Sequence, residues 1–96
     1  MILDGTPLID NEDDNRFEVS IDGAIAFINY LKRDNVYYLI HTQVPHALEG
    51  RGIAGALVEK TFKKLEAGGF KIMPYCPYVQ SYLKRHPEWN RLVAGN

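Results

Sequence analysis

The chain has 96 residues, of which 46% are hydrophobic and 24% charged, and its formal net charge is −1. This length predicts one domain with enough apolar surface for a two-layer core. A charge so close to zero gives no reason to expect nucleic acid or an anionic membrane surface as the main partner. No apolar run reaches the roughly 18 residues that span a bilayer, so we predict no transmembrane segment.

Residues 1–15 are acidic and rich in turn-forming types, so we expect this segment to be partly ordered. Leu8 and Ile9 are the residues here that can pair briefly with a sheet edge. The segment has neither the basic start nor the apolar middle of a signal peptide. Cys76 is the single cysteine and has no internal disulfide partner, which fits a reducing compartment. We therefore expect an intracellular protein, cytoplasmic or alternatively nuclear, that is soluble and either monomeric or weakly dimeric.

The first half of the chain predicts an antiparallel meander. Its strands are 16–21, 24–31 and 36–42, separated by polar turns at 22–23 and 32–35. Phe17, Val19 and Ile21 alternate with polar residues, which is typical of a half-buried strand. Asp22-Gly23 is a strong two-residue hairpin turn, because glycine tolerates a positive φ. The apolar content of 36–42 predicts that this strand lies at the centre of the sheet.

The second half predicts a helix, a strand and a second helix. Six residues repeat at helical spacing and form the buried stripe of the first helix: Ala54, Leu57, Val58, Thr61, Phe62 and Leu65. Gly68-Gly69 ends that helix, and residues 70–75 form a short strand. Pro77 fits the first position of the second helix, which makes Cys76 its N-cap and Pro87 its end. One face of this helix carries Val79, Tyr82, Leu83 and His86. An edge of the core is expected to be covered by Trp89, Leu92 and Val93.

A glycine-rich loop, residues 50–55, joins the third strand to the first helix. Its three glycines allow backbone to come close to a ligand, and a helix start offers free N–H groups with a partial positive charge. Such a start most often binds phosphate. The alternative is that the glycines give only the clearance needed to pack the helix start tightly against the sheet.

The loop also matches the G-x-G-x-x-G pattern of dinucleotide-binding domains. Its context excludes that interpretation, because the preceding strands are hairpin-linked and residues 70–75 contain no acid for a ribose. Too little chain follows to complete a nicotinamide-binding sheet. A P-loop is excluded because no Gly-Lys-Ser or Gly-Lys-Thr follows at the required spacing.

The order of elements resembles the GNAT superfamily of N-acetyltransferases. The superfamily pattern is Arg or Gln, two residues, Gly, any residue, then Gly or Ala. Gly52 and Ala54 fit this pattern, and Glu49 takes the first position. The chain is most similar to a small stand-alone GNAT-like subfamily in which Glu is common there. The segments that carry this likeness are Ile9-Asp10-Asn11, Arg16-Phe17-Glu18, His41-Thr42-Gln43-Val44, Leu48-Glu49-Gly50-Arg51-Gly52-Ile53, Pro74-Tyr75-Cys76-Pro77-Tyr78 and Arg85-His86-Pro87-Glu88.

The resemblance implies one abbreviated α/β GNAT domain over residues 1–96, acting as an acetyl-CoA-dependent N-acetyltransferase. Backbone amides from Arg51 to Ala56 would hold the pyrophosphate of acetyl-CoA. The pantetheine arm would pair like an added strand with residues 42–44, where a backbone N–H would polarise the thioester. The implied cofactor-binding residues are Thr42, Gln43, Val44, Glu49, Gly50, Arg51, Gly52, Ile53, Ala54, Gly55, Ala56, Cys76, Tyr78 and Arg85.

Three of these side chains keep more than one interpretation. The Arg51 guanidinium either contacts phosphate or is only solvated. Tyr78 forms a wall of the cleft or, as the less favoured alternative, acts as an acid. Arg85 lies at the end of the second helix, where it either touches the adenine-phosphate end of CoA or is solvated.

Cys76 and His41 are the candidate catalytic residues. A helix N-terminus stabilises a thiolate, and His41 at the end of the neighbouring strand is expected to approach it. The acceptor amine then attacks the bound thioester directly, or Cys76 first forms an acetyl-cysteine. The structural alternative makes Cys76 a buried N-cap and His41 a hydrogen-bonded core residue.

The sequence leaves the acceptor open. It is an amine on a small molecule, on a protein lysine or on a protein N-terminus. No residues have metal-ligand spacing, so no metal is predicted. The rival function is a CoA-binding module without catalysis, because the chain lacks the extra elements with which larger relatives build an acceptor pocket.

Overall fold

Five strands form one sheet in the computed structural model, which describes residues 3–95. Their order across the sheet follows the chain: β1 (Ile9–Asn11), β2 (Arg16–Ile21), β3 (Ala24–Arg33), β4 (Val36–Gln43) and β5 (Lys71–Pro74). The first four strands are antiparallel neighbours, and β5 runs parallel to β4. The helices are α1 (Ile53–Ala67), α2 (Pro77–Arg85) and two short 3-10 helices, His46–Leu48 and Pro87–Leu92. The predicted α/β architecture is confirmed.

Tight turns set the register of the meander. Asp22 and Gly23 have φ values of 52° and 80°, the positive pair that a type I′ hairpin requires. The next turn is confined to residues 34–35, with Asp34 at φ 54°, so it is shorter than the predicted 32–35. It is shorter because β3 continues to Arg33. As predicted, β4 lies inside the sheet, between β3 and β5, although β3 is the middle one of the five strands.

The N-terminal segment is more ordered than its composition indicates. Ile9 pairs with Glu18 in β2, whereas Leu8 lies outside the strand. The Tyr30 hydroxyl donates to the Asp10 carboxylate, and the Leu3 side chain is only 1% exposed in the core. The sequence pattern missed this order because each of these contacts joins residues that are far apart in the chain.

Both helices pack on one face of the sheet, which we call the helix face. Its fully buried strand residues are Phe17, Val19, Ala26, Ile28, Leu39 and Ile72. We call the other side the open face, because within residues 3–95 no helix packs against it. The strand residues on the open face include Phe27, Asn29, Leu31, Tyr38 and His41. The domain is therefore a sheet with one covered and one uncovered side.

The apolar stripe predicted for α1 agrees closely with the residues that α1 buries. Ile53 and Ala56 are buried in addition to five of the six predicted residues, whereas Ala54 is only half-buried. The helix ends as predicted, because Gly69 has φ 80° and its amide donates to the Glu66 carbonyl at 3.1 Å. The apolar face of α1 thus begins at its first residue, directly beside the glycine-rich loop.

The start of α2 is also as predicted, with Cys76 at the N-cap and Pro77 in the first turn. Its buried residues are Val79, Tyr82 and Leu83, whereas His86 caps the C-terminus and is half-exposed.

None of the helices in residues 3–95 has the length and apolar character that crossing a membrane requires.

The C-terminal segment covers an edge of the core, as predicted, and it does so beside β5. Trp89 and Leu92 are buried, and the Trp89 ring lies 5.4 Å from that of Phe62. The Ala94 amide donates to the Ile72 carbonyl at 2.8 Å, next to a bridge between Ile72 and Val93. The outer edge of β5 is therefore partly paired.

The hydrogen bonds to Glu18 predict how the free energy of unfolding depends on pH. Its carboxylate accepts hydrogen bonds from Asn11 Nδ2 at 2.9 Å and from Arg16 Nε, and these bonds, Asn11 first, lower the pKa of Glu18 from 4.5. Because the folded-state pKa is the lower one, the stabilisation is present above the unfolded value near 4.5 and is lost as pH falls through the folded value. Glu18→Gln should cost about 1 kcal/mol at pH 7 and less at pH 3.

Urea unfolding at both pH values measures this difference. Asp13→Asn removes an exposed carboxylate from the same segment and serves as the control. If Glu18→Gln and Asp13→Asn change the pH dependence equally, Glu18 does not stabilise the pairing of β1 with β2.

Candidate functional site

A cleft of about 190 Å³ lies between the end of β4, the start of α1 and the first turn of α2. Its lining residues are Val44, Leu48, Glu49, Gly50, Gly52, Ile53, Ala54, Gly55 and Tyr78. All of them except Leu48 were predicted site residues. Leu48 is 2% exposed, and two signals point to it: it is a large apolar residue between β4 and α1, and it begins one of the segments that carry the family resemblance. The structure therefore gathers the glycine-rich loop and Tyr78 into one concave surface.

The loop needs glycine for its backbone conformation. Gly50 and Gly52 have φ values of 76° and 73°, in the left-handed region that side chains disfavour. A Cβ atom at either position would meet nothing within 4 Å. Crowding within the protein therefore does not explain these two glycines, and their Cα atoms have open space in front of them.

Gly55 has a different role, because it gives clearance between the two helices. A Cβ atom there would lie 3.4 Å from the Tyr78 hydroxyl and 3.9 Å from the Tyr82 ring. The two interpretations of the glycine-rich loop thus apply to different residues. Gly50 and Gly52 are required by their positive φ and leave open space in front of them, whereas Gly55 lets α1 approach α2.

The start of α1 presents amides without internal partners. Ala56 is the first helical residue whose amide reaches a carbonyl, that of Gly52 at 3.2 Å. Within residues 3–95, the four preceding amides, of Gly52 to Gly55, have no backbone acceptor. The expectation that Ala56 belongs to this group is wrong, since its amide is used inside α1 and its methyl group is buried.

Three predicted side chains lie at or beyond the rim of the cleft. The Arg51 guanidinium lies 3.4 Å from the Asp22 carboxylate, in an exposed pair that directs it toward the β2–β3 turn. The Glu49 carboxylate lies 3.3 Å from His46 Nδ1. The Arg85 guanidinium stacks 5.9 Å from the ring of Tyr78, away from the cleft lining. No cationic side chain among residues 3–95 lines the cleft, so any attraction for anions there comes from backbone.

Strands β4 and β5 separate beside this cleft. Their parallel pairing ends at Leu39 and Pro74, although β4 continues to Gln43. The Leu39 carbonyl accepts from the amides of both Tyr75, at 3.0 Å, and Cys76, at 2.8 Å. Among the described strands, none pairs with residues 40–43 on the β5 side. This free edge of β4 leads to Val44, which lines the cleft.

Cys76 contacts Thr42 across the gap between the strands. The Thr42 hydroxyl lies 3.3 Å from the Cys76 sulfur, and only 2% of Cys76 is exposed. Although Cys76 occupies the N-cap position, its thiol makes no capping hydrogen bond. The thiol is thus a buried partner of Thr42 on the helix face.

His41 lies on the other side of the sheet. Asn29 pairs with His41 and Ile28 pairs with Thr42, so consecutive β4 residues face opposite ways. The His41 ring is exposed, and its Nε2 lies 3.0 Å from the Gln43 amide oxygen. The structure therefore does not bring His41 to Cys76 and instead places His41 with Gln43 on the open face.

The described residues contain no group of three or more side chains suited to hold a metal ion. The site consists of unpartnered amides at a helix start, an open strand edge, and one titratable side chain on each face of the sheet. This arrangement defines an α/β domain that can bind a ligand with an anionic end and an extended, amide-containing arm.

Comparisons with known proteins agree with that class. A family model described as GCN5-related N-acetyl-transferase matches residues 16–92. Protein NATD1 of Xenopus tropicalis is 33% identical over 76 residues, which cover 75% of this chain and 69% of the relative. Protein NATD1 of Gallus gallus is 30% identical over 93 residues, which cover 91% and 84%. The solution structure of a GCN5-like protein from Staphylococcus aureus has a TM-score of 0.66 and 25% identity, covering 85% of this chain and 83% of that one. The chain belongs to the GCN5-related N-acetyltransferase family, as the resemblance indicated.

Burial predicts that the Cys76 thiol reacts slowly in the folded protein. Because 2% of the residue is exposed, iodoacetamide should alkylate Cys76 at least about tenfold more slowly in buffer than in urea at the same pH. Mass spectrometry of quenched samples measures both rates. Thr42→Ala removes the contact over the sulfur and should raise the native rate. Equal native and unfolded rates would show that the thiol is accessible.

Proposed function

We propose that the protein is an acetyl-CoA-dependent N-acetyltransferase that moves an acetyl group to an amine. The observation that carries this proposal is the start of α1, where the amides of Gly52 to Gly55 lie in a cleft that continues to the free edge of β4. The family supports acetyl transfer in general terms.

The pyrophosphate of CoA fits the start of α1. Several N–H groups converge there, and the helix dipole adds a partial positive charge. The open space in front of Gly50 and Gly52 gives the phosphate oxygens room to approach the backbone. Arg51 is held only by an exposed pair with Asp22, which is weak enough for the guanidinium to turn toward a phosphate.

The pantetheine arm fits the free edge of β4. Its two amide groups would pair with backbone groups of residues 42–44, as an added strand does. A backbone N–H at this edge would then donate to the thioester oxygen, where negative charge develops during transfer. Tyr78 forms the wall on the α2 side.

The positions of the two candidate catalytic residues favour direct transfer. The acceptor nitrogen forms a bond to the acetyl carbon, and the bond from that carbon to sulfur breaks with its electron pair on sulfur. His41, exposed on the open face, takes the proton that the nitrogen gives up. The departing thiolate takes a proton from solvent at the free edge of β4, beside the Thr42–Cys76 pair. A covalent acetyl-cysteine is disfavoured because the sulfur is buried.

The alternative is a CoA-binding module without turnover. It is favoured by the open face, where no described helix walls off an acceptor from water. Release of CoA from acetyl-CoA in the presence of an amine panel separates the two functions. We expect release that depends on the amine, and His41→Gln should slow it by about 100-fold or more.

Gly52→Val tests the proposed phosphate site. A side chain there would occupy the open space in front of Gly52 and strain a backbone at φ 73°, so CoA affinity should fall by more than about tenfold. Gly69→Val is the matched control, because Gly69 has φ 80° and equally open space at the other end of α1. Calorimetric titration with CoA measures both variants. Equal affinities in the two folded variants would place the phosphates elsewhere.

A further inference from the structure

The open face carries a groove of about 390 Å³ that the proposed donor site does not use. Its lining residues are Leu31, Arg33, Tyr38, Ile40 and Tyr75. Leu31 is 53% exposed and Tyr75 is 59% exposed, so large apolar side chains face solvent together here. The rings of Tyr38 and Tyr75 lie 5.5 Å apart and form one aromatic wall. Such a cluster, rimmed by polar groups, marks a binding surface.

One end of the groove adjoins the place where β4 and β5 separate. Tyr75 immediately precedes Cys76, and its amide shares the Leu39 carbonyl with that of Cys76. Ile40 immediately precedes His41, and because Ile40 is the extra residue of a bulge, with no partner in β3, both residues lie on the open face. A molecule in the groove therefore has this end beside His41 and the free edge of β4.

Arg33 lies at the other end of the groove. It pairs with Val36, four residues before Ile40, which is about 13 Å along the strand. Three other arginines, Arg16, Arg51 and Arg91, each have a carboxylate partner. The Arg33 guanidinium has no hydrogen bond or ion pair with any of residues 3–95. A free guanidinium at the rim of an apolar groove suits a carboxylate, which it can bind with two parallel hydrogen bonds.

We propose that this groove binds the acetyl acceptor, and that the acceptor is a small amine with a flat apolar body and a carboxylate at its far end. This rests on the proposed function. The amine lies at the Ile40 end, near His41, and the body lies against Tyr38 and Tyr75. The carboxylate pairs with Arg33, whose long side chain spans part of the distance along the strand. The donor on the β4 edge and the acceptor on the open face then meet where the strands separate.

The groove also explains how a domain this small selects an acceptor. No described helix covers the open face, so the choice of acceptor depends on side chains of the sheet itself. The aromatic wall favours a planar body, and Arg33 favours an anion at a fixed distance from the amine. Amines that lack either part should be poorer acceptors.

Three probes test these two contributions. The first, 4-(2-aminoethyl)benzoate, has the amine, the planar body and the distant carboxylate. Phenethylamine has the same body without the carboxylate, and β-alanine has the carboxylate without the body. The full chain, saturated with acetyl-CoA for turnover and with CoA for NMR titration, gives kcat/KM and Kd for each probe. We expect the benzoate to be preferred over both others by about tenfold or more.

Variants of the groove then assign the preference to residues. Arg33→Gln should lower the ratio of benzoate to phenethylamine, in both kcat/KM and Kd, by about tenfold. Tyr75→Ala should weaken both aromatic probes. Lys84→Gln removes an exposed positive charge from α2 and should keep the wild-type ratio. In the NMR titration, the amide signals of Tyr38 and Tyr75 should move with the benzoate.

The outcomes separate this inference from the proposed function. An unchanged ratio in Arg33→Gln, or a benzoate titration that leaves Tyr38 and Tyr75 unmoved, overturns the groove as the acceptor site. CoA that moves neither Gly52 nor Gly55, together with no CoA release, overturns the proposed function. If no amine is acetylated but CoA binds, the Kd ratios still decide whether the groove selects this class of amine.

Discussion

The parallel pairing of β4 and β5 stops at Pro74, and the candidate site depends on that interruption. Proline has no amide hydrogen to give to a neighbouring strand. The next two amides, of Tyr75 and Cys76, converge on the single carbonyl of Leu39, and the chain then turns into α2. Residues 40–43 are left with an unpaired edge on the β5 side. The same turn sets the N-cap of α2, the position of Tyr78, and the end of the open-face groove at Tyr75.

A bulge in β4 decides which side chains share a face. Tyr30 pairs with Leu39 and Asn29 pairs with His41, so Ile40 has no cross-strand partner. Simple alternation from the buried Leu39 would place His41 on the helix face, beside Cys76. The extra residue shifts the pattern by one position and sends Thr42 to the helix face instead. The expected approach of His41 to Cys76 was therefore lost through a feature that leaves no mark in the local sequence.

Features encoded by neighbouring residues could be predicted well. The Asp22-Gly23 turn, the apolar stripe of α1 and the start of α2 each follow from a short pattern with a steric or hydrogen-bonding cause. The glycine-rich loop could likewise be placed at a helix start. The different roles of Gly52 and Gly55 could not be predicted. Features that need partners from elsewhere could not be predicted. The burial of Leu3, the pairing of Arg51 with Asp22 and the groove on the open face all join residues distant in sequence.

The two edges of the sheet bear on how this domain meets other chains. One edge is β1, which is only three residues long, and the other is β5, where the Ile72 carbonyl already accepts from Ala94. Long free edges are what allow strands from separate molecules to join into extended sheets. Both edges here are short or partly occupied, although a whole face of the sheet is bare. Apart from the short free edge at residues 40–43, a neighbouring molecule therefore finds side chains to touch but few backbone groups to pair with, which favours reversible contact over aggregation.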